Sequence, residues 1–190
     1  MTDDTRSPAA ALRSLVASAV DADLAALDGQ TEVVERANET ASGDAVAPVD
    51  ADLTERLAEV VGDAEAVVAV VPRLDAGLAR RLSGVVEAAD GDGDAPRDLR
   101  VVFTDAASDR LSGPAGPVVR RLLVERGIEA YRHDGESPVT VALADDRAVV
   151  GLVDGDGIAA LLWSDAPAVR EWAAATCGRY LDAAEPVGDD

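Results

Sequence analysis

The amino-acid sequence predicts an α/β protein with a mixed sheet, in which a βαβαβ parallel part is followed by an antiparallel meander, with helices on both faces and an extra N-terminal helix. Three observations lead to this fold class. Residues 66–71 form an uninterrupted apolar run of strand length, which is typical of strands buried on both faces. Amphipathic stretches separate this run from the next two strands, so right-handed crossovers would give a parallel sheet. Three later strand-like segments are joined only by short turns, which favours antiparallel hairpins.

The N-terminal segment predicts one helix followed by a polar linker. Ser7 and Pro8 form a typical helix start, with a capping side chain before a proline in the first turn. Apolar residues then recur at three- and four-residue spacings over residues 7–27, namely Leu12, Leu15, Val16, Val20, Leu24 and Leu27. Residues 30–50 are polar around Val33 and Val34 and predict a loop or a weak helix. The N-terminal helix is expected either to dock on the main domain or to act as a dimerisation element.

The remaining elements follow in order along the chain. The parallel part is predicted to contain helices over residues 51–63, 75–89 and 116–127, and strands over residues 66–71, 99–104 and 128–133. The meander is predicted over residues 139–143, 148–153 and 158–163, and the last helix over residues 165–184. The predicted organisation is an N-terminal helix and polar linker (1–50), an α/β domain (51–185) and an acidic tail (186–190).

The composition excludes several kinds of chemistry. The chain has one cysteine, Cys177, and one histidine, His133, too few nitrogen and sulfur ligands for a structural zinc site. It contains no lysine, which excludes a Walker A loop, a Schiff base and a Ser-Lys pair. No G-x-S-x-G turn accompanies His133. We therefore expect no metal site, no cofactor and no nucleophilic enzyme of these types.

The formal net charge of −20 disfavours direct nucleic-acid binding, because phosphate contacts need clustered cations. Arginine in place of lysine, abundant aspartate and only two isoleucines are typical of proteins from a high-salt cytoplasm, where screening keeps a carboxylate-rich surface soluble. No apolar run reaches the length of a membrane helix, and the first residues are acidic rather than basic. A cytoplasmic protein with neither a membrane nor a nucleic-acid partner is expected.

Several segments carry a resemblance to a known family. Residues 67–72, 99–103 and especially 138–153 (PVTVALADDRAVVGLV), together with residues 169–172 and 180–185, resemble the N-terminal sensor-type domain of the haloarchaeal TbsP family of transcriptional regulators. That family is similar in turn to the effector-binding domains of sugar-responsive archaeal regulators, which share a half-unit of the phospholipase D architecture without its catalysis. The resemblance covers about two thirds of the chain and implies ligand sensing, dimerisation or docking to a regulator.

Two properties of these relatives do not carry over. Phospholipase D activity needs an H-x-K-x₄-D pattern, but Asp134 and Gly135 follow His133 and the chain has no lysine, so that activity is excluded. The family's regulators also carry a C-terminal winged helix, whereas this chain stops soon after the sensor-like domain and residues 1–50 hold only one good helix. DNA binding is therefore not implied, and the expected partners are a second copy or a regulator chain, and a small metabolite.

Candidate ligand contacts lie where the predicted parallel strands end. Arg73 follows the first strand, Thr104 and Asp105 end the second, and His133 ends the third. Open α/β sheets bind ligands beyond the carboxyl ends of their strands. These four residues are therefore candidates for gripping a small anionic or hydroxylated metabolite, with solvated loop residues as the alternative interpretation.

Other conspicuous residues are interpreted as structural. The acidic glycine turns at residues 90–94 and 154–157 lack the bidentate glutamate of a calcium loop. The pairs Arg80-Arg81 and Arg120-Arg121 are expected to form ion pairs with nearby carboxylates, with a phosphate-binding patch as the alternative. Trp172 and Tyr180 are expected to anchor the last helix to the sheet, and Cys177 to be a small core residue. The alternative is that Trp163, Trp172 and Tyr180 line a pocket or an interface, where aromatic residues are enriched.

Three functions compete at this point. The leading one is a non-catalytic, ligand-sensing or dimerisation domain that acts through a partner chain. The first alternative is an enzyme for a small anionic metabolite that uses Asp105, His133 and Arg73. The second is a stand-alone interaction module whose N-terminal helix is the contact surface.

Overall fold

The computed structural model describes residues 7–22, 29–35, 64–73, 98–114, 116–125, 127–154 and 157–187. Several sequence predictions lie outside these residues: the helices over 51–63 and 75–89, the linker after residue 35, the arginine pair at 80–81 and the acidic turn at 90–94. The described segments form a mixed α/β structure around one eight-stranded sheet, which confirms the predicted fold class.

The sheet combines a parallel part and an antiparallel part. Its strands are β1 (Thr31–Glu35), β2 (Ala66–Val71), β3 (Asp98–Phe103), β4 (Ile128–Arg132), β5 (Thr140–Ala144), β6 (Arg147–Asp154), β7 (Gly157–Ser164) and β8 (Glu185–Pro186). Their order across the sheet is β1-β7-β6-β5-β2-β3-β4-β8. Strands β2, β3 and β4 are parallel, and every other pairing is antiparallel. The parallel part and the meander therefore meet where β5 pairs with β2.

Two pairs of helices cover the two faces of the sheet. They are α1 (Pro8–Ala19), α2 (Asp105–Ser112), α3 (Gly116–Glu125) and α4 (Pro167–Asp182). Helices α1 and α4 share one core cluster, in which their apolar residues meet alternate residues of the central strands, such as Val70 and Val102. Helices α2 and α3 share a second cluster with the neighbouring residues Val71 and Phe103. The one-residue alternation arises because successive strand side chains point to opposite faces.

Helix α1 docks on the sheet of its own chain. Ser7 caps it as predicted, and its Oγ accepts a hydrogen bond from the N–H of Ala10 at 3.3 Å. Leu12 and Val16 are fully buried in the core cluster. The helix ends at Ala19, earlier than the predicted Leu27, and residues 23–28 lie outside the described part. The apolar face of α1 is therefore buried against the sheet and does not form an exposed contact surface.

The predicted loop or weak helix after Gln30 is wrong for residues 31–35. These residues form the edge strand β1, which pairs antiparallel with β7 from Thr31 opposite Ser164 to Glu35 opposite Ala160. The side chain of Glu32 also accepts a hydrogen bond from the indole N–H of Trp163 at 2.7 Å. Residues 31–35 are too short and too polar a segment to predict a strand from sequence. They form one because they pair with β7.

Two further elements were not predicted. Helix α2 follows β3 directly, and its apolar contribution to the core is limited to Ala107 and Leu111. Strand β8 is a two-residue addition to the edge of β4, extended by the N–H of Val187, which donates to the carbonyl of Ala130. The other predicted strands and the third and last helices are confirmed, with ends that differ by at most two residues. None of the helices in the described segments is long and apolar enough to cross a membrane.

The hairpin between β5 and β6 is locked to the start of β2. Asp145 has a φ of 47°, in the left-handed region that aspartate tolerates in tight turns. Its two carboxylate oxygens accept hydrogen bonds from the N–H groups of Glu65 at 2.9 Å and Ala66 at 3.0 Å. Its own N–H donates to the carbonyl of Ala66 at 3.0 Å. This one aspartate therefore fixes the register between the antiparallel and the parallel parts of the sheet.

Candidate functional site

The carboxyl ends of β2, β3 and β4 meet at one edge of the sheet. The register places Val71 beside Phe103 and Phe103 beside Arg132. Beyond these ends, the N–H of Thr104 donates to the carbonyl of Val71 at 3.1 Å, and the N–H of His133 donates to the carbonyl of Phe103 at 2.9 Å. The backbone thus holds the residues that follow each strand side by side, as the sequence predicts.

Thr104 is the most unusual residue at this edge. It is fully buried, and its hydroxyl oxygen has no hydrogen-bond partner within the described segments. It occupies the N-cap position of α2, where threonine usually accepts a hydrogen bond from the first turn, but its side chain makes no capping bond. Buried polar groups are nearly always paired, and an unpaired one costs about 1–3 kcal/mol. Thr104 thus carries an unused hydrogen-bonding group at the predicted site.

His133 is half-buried, and its imidazole is held by two neighbours. The N–H of Gly135 donates to Nδ1 at 2.7 Å, so the ring carries its proton on Nε2 when it is neutral. The ring packs at a tilted angle against Tyr180 of α4, with a centroid distance of 4.9 Å. A Cβ atom at position 135 would lie 2.6 Å from Cε1 of His133, so a residue larger than glycine there would displace the ring from this position. The ring is therefore oriented by the fold.

Arg73 and Asp105 complete the predicted set. Arg73 is exposed just beyond β2, and its guanidinium makes no ion pair in the described part of the chain. Asp105 is the first residue of α2, and only its backbone is described. The first turn of a helix has N–H groups without intrahelical partners and a partial positive charge. This edge of the sheet therefore offers an arginine and a helix N-terminus.

Sequence reasoning did not place α4 or the loop after β4 at this edge. Tyr180, interpreted from sequence mainly as a helix anchor, contacts His133 and donates its hydroxyl hydrogen to the carbonyl of Glu136 at 2.6 Å. The guanidinium carbon of Arg179 lies 5.5 Å from the centre of the Tyr180 ring. The spacing of Tyr180 at the end of an amphipathic helix was the available signal, but only the tertiary fold shows that the helix ends beside β4.

Arg121 and Cys177 have the structural contacts that the sequence predicts for them. Arg121 forms an ion pair with Glu125 at 2.7 Å on α3. Cys177 is buried among small residues of α4, and its thiol contacts the carbonyls of Val68 and Val141 at 3.5 and 3.8 Å. Burial raises the pKa of this thiol to about 12, so it is neutral at ordinary pH. No group of three or more metal-ligating side chains occurs within the described segments.

Comparison with known families places most of the chain in a regulator domain. The family model for the middle domain of the methanogenesis regulatory protein FilR1 matches residues 51–183. This range includes Arg73, Thr104, Asp105 and His133, and it ends within one residue of the C-terminus of α4. No curated protein matches the chain in sequence.

Three solved structures share the fold. TrmBL2, an archaeal chromatin protein described as having a novel mode of DNA binding, is similar over 82% of this chain with 15% identity and a TM-score of 0.51. Nuc from Salmonella typhimurium, a phospholipase D family member, is similar over 83% of this chain with 11% identity and a TM-score of 0.53. NucT from Helicobacter pylori is similar over 83% of this chain with 11% identity and a TM-score of 0.56.

The extent of the match differs among these structures. The similarity covers 98% of Nuc and of NucT but only 54% of TrmBL2. The chain therefore spans about half the length of the archaeal protein. At 11–15% identity, these likenesses establish the fold and not the activity.

Proposed function

The chain belongs to the family of the FilR1 middle domain, and from that membership we propose that it is a sensor domain that binds a small anionic or hydroxylated metabolite at the edge where β2, β3 and β4 end. The family is a domain of an archaeal regulatory protein, and an archaeal DNA-associated protein shares its fold. These two findings support a non-catalytic, regulatory domain. What the domain senses is the finer part of the proposal.

The observation that carries the ligand-binding proposal is the unpaired hydroxyl of Thr104. An oxygen of a bound metabolite, or a water ordered by it, would supply the partner that the folded chain lacks. Arg73 and the first turn of α2 favour an anion, whereas the exposed carboxylates of Asp134 and Glu136 oppose a high negative charge. A singly or doubly charged, hydroxyl-rich metabolite such as a sugar phosphate fits this combination.

We also propose that the chain stands close to the haloarchaeal TbsP regulators and works in a high-salt cytoplasm. The acidic composition and the segments over residues 67–72, 99–103 and 138–153 support this finer assignment. A regulator partner or a second copy would transmit the binding signal. Such a role would not require this chain to contact DNA directly, which its net charge of −20 disfavours.

The test is a thermal-shift screen of the purified protein in concentrated KCl with sugars, sugar phosphates and nucleotides, followed by calorimetric titration of any compound that raises the unfolding temperature. A ligand that binds only the folded state raises that temperature. Arg73→Ala is expected to weaken binding by at least about tenfold, equivalent to about 1.4 kcal/mol. Arg147→Ala is the matched control, because Arg147 is exposed at the opposite end of the sheet, beside the start of β2.

Two outcomes would contradict the proposal. One is a screen in which no compound shifts the unfolding temperature, or in which the shift is equal in both arginine variants. The other is turnover of a metabolite that is lost in Asp105→Asn or His133→Ala. The second outcome would instead favour the competing small-metabolite enzyme that uses Asp105, His133 and Arg73.

A further inference from the structure

Helix α3 carries an exposed apolar surface. Within the described segments, the exposed large apolar side chains are Val118, Leu122 and Val124, with 64%, 43% and 56% of their surface accessible. All three belong to this one helix of ten residues. The buried side of the same helix is occupied by Gly116 and Leu123. Single exposed apolar residues are ordinary, but Val118 and Leu122 lie one turn apart on the same face of this short helix, and neighbouring exposed apolar side chains of this kind mark interaction sites.

Two side chains of opposite charge lie beside Val118 and Leu122 on α3. Val118 and Leu122 are four residues apart and therefore share one face of α3. Arg121 is exposed next to Leu122. Its Nε lies 2.7 Å from Oε1 of Glu125, which follows one turn later. If a second α3 lay antiparallel to the first with Leu122 near the crossing point, Arg121 of each copy would approach Glu125 of the other. An interface with a two-fold axis needs this kind of self-complementary surface.

We propose that the Val118, Leu122 and Arg121–Glu125 face of α3 is the surface through which two copies of this chain associate, with their α3 helices antiparallel. The occupant is a second copy because the face offers apolar groups together with both charge signs in an order that complements itself. A partner surface with charges of mainly one sign would complement either Arg121 or Glu125, but not both. This surface lies on the face of the sheet opposite α4 and Tyr180, so the proposal does not depend on ligand binding at the strand ends.

The proposed interface is small and sensitive to salt. A single helix pair buries less than the roughly 1,200 Å² of a standard interface, so the association is expected to be reversible and dependent on protein concentration. Each copy carries a net charge of −20, and their mutual repulsion is screened only when the Debye length falls to about 3 Å, near 1 M salt. Dimers are therefore expected in concentrated KCl and monomers in dilute buffer.

The test is sedimentation equilibrium of the whole chain over a range of protein concentrations in concentrated KCl, with circular dichroism to confirm that each variant is folded. Leu122→Glu is expected to raise the dimer dissociation constant by at least about tenfold. Ala175→Glu, at an exposed position on α4, adds the same charge elsewhere and should leave the constant unchanged. A wild-type chain that stays monomeric at every concentration, or a dimer that Leu122→Glu does not weaken, would overturn the proposal.

The antiparallel arrangement has its own test. Arg121→Glu makes this face wholly acidic, and Glu125→Arg makes it wholly basic, so each variant alone should dimerise less than the wild type. An equimolar mixture of the two should form heterodimers, because each face then meets its complement. The ion pair within one helix cannot produce this recovery, since both variants lack it. A mixture no more dimeric than its components would rule out the arrangement.

Discussion

At the scale of single residues, two threonines differ in whether their hydroxyl has a partner. Thr31 on β1 shares a hydrogen bond of 2.9 Å with the hydroxyl of Ser164, which also donates to the carbonyl of Gln30 at 2.7 Å. Thr104 is more deeply buried and its hydroxyl is unpaired in the described structure. A buried hydroxyl stabilises a fold only when it is satisfied. The two side chains should therefore respond in opposite directions to the same substitution.

Thr104→Val is expected to raise the free energy of unfolding by about 1–2 kcal/mol in the absence of ligand, because it removes an unsatisfied polar atom while nearly conserving shape. The same variant should lose the stabilisation that a bound metabolite gives. Thr31→Val is the control and should lower stability by about 0.5–1.5 kcal/mol, since it removes the hydrogen bond that joins Thr31 to Ser164. Urea denaturation of both variants measures these changes. A loss of stability in Thr104→Val would show that its hydroxyl is already satisfied.

Cys177 makes stability depend on alkaline pH. Burial raises the pKa of its thiol from 9.0 to about 12, so between these values the unfolded chain releases a proton that the folded chain retains. The contribution of this thiol is constant below about pH 9 and is lost progressively as the pH rises toward 12. In Cys177→Ala the unfolding free energy should fall less steeply over that window. Identical slopes for the two proteins would contradict the predicted burial of the thiol.

The common edge at which the four candidate residues lie was predictable from sequence, whereas their contacts were not. Arg73, Thr104, Asp105 and His133 each follow a recognisable apolar strand, and parallel strands end at a common edge. The missing partner of Thr104 depends on how α2 begins, and α2 has too few apolar residues to be predicted. The contact of His133 with Tyr180 joins residues far apart in the chain. Such tertiary contacts leave no local pattern.

Among the secondary-structure elements, the strands predicted most closely are those whose ends are marked by residues in the sequence itself. Strand β2 is an apolar run that ends before Pro72, and the β5–β6 hairpin is bounded by two aspartates, so both were found within one residue. Strand β1 has only Val33 and Val34, and α2 has only Leu111 as a large apolar residue. Their structure depends on pairing with β7 and packing on β3. Sequence periodicity predicts a helix or strand only when that element contains enough apolar residues to form a buried face of its own.

The two aspartates of the β5–β6 turn have different roles: the carboxylate of Asp145 is part of the fold, and that of Asp146 lies on the surface. Asp145 accepts two backbone hydrogen bonds at the start of β2, whereas Asp146 is almost fully exposed and pairs with Arg170 at 3.0 Å. Asp145→Ala is expected to lower the free energy of unfolding by about 2 kcal/mol, because it loses both bonds and places alanine at a positive φ. Asp146→Ala should cost less than about 0.5 kcal/mol. Thermal or urea unfolding compares them, and equal losses would contradict the assigned role of Asp145.

At the scale of the whole molecule, one architecture serves different chemistries. The chain shares its fold with Nuc, a phospholipase D family member, and with an archaeal chromatin protein. The H-x-K pattern of phospholipase D is absent, since Asp134 and Gly135 follow His133. What the edge provides instead is a fixed imidazole, an arginine and an unpaired hydroxyl. The proposed sensor function rests on these groups and not on the phospholipase D pattern.

The net charge of −20 should make stability increase with salt. At about 0.1 M salt the Debye length is about 10 Å, so carboxylates across the surface repel one another, and at about 1 M it is about 3 Å, so most of that repulsion is screened. Each kcal/mol of relieved repulsion raises the unfolding midpoint by about 2–4 °C in a chain of this size. The midpoint measured by calorimetry should therefore rise steadily with KCl.

The increase can be assigned to charge rather than to a general effect of salt on apolar burial. Reversing three exposed carboxylates with Asp109→Arg, Glu171→Arg and Asp182→Arg changes the net charge from −20 to −14. Because less repulsion remains to be screened, the midpoint of this variant should rise less steeply with KCl. A general salting-out effect would act on both proteins alike. Parallel curves would therefore show that screening of the acidic surface is not what stabilises the chain in concentrated salt.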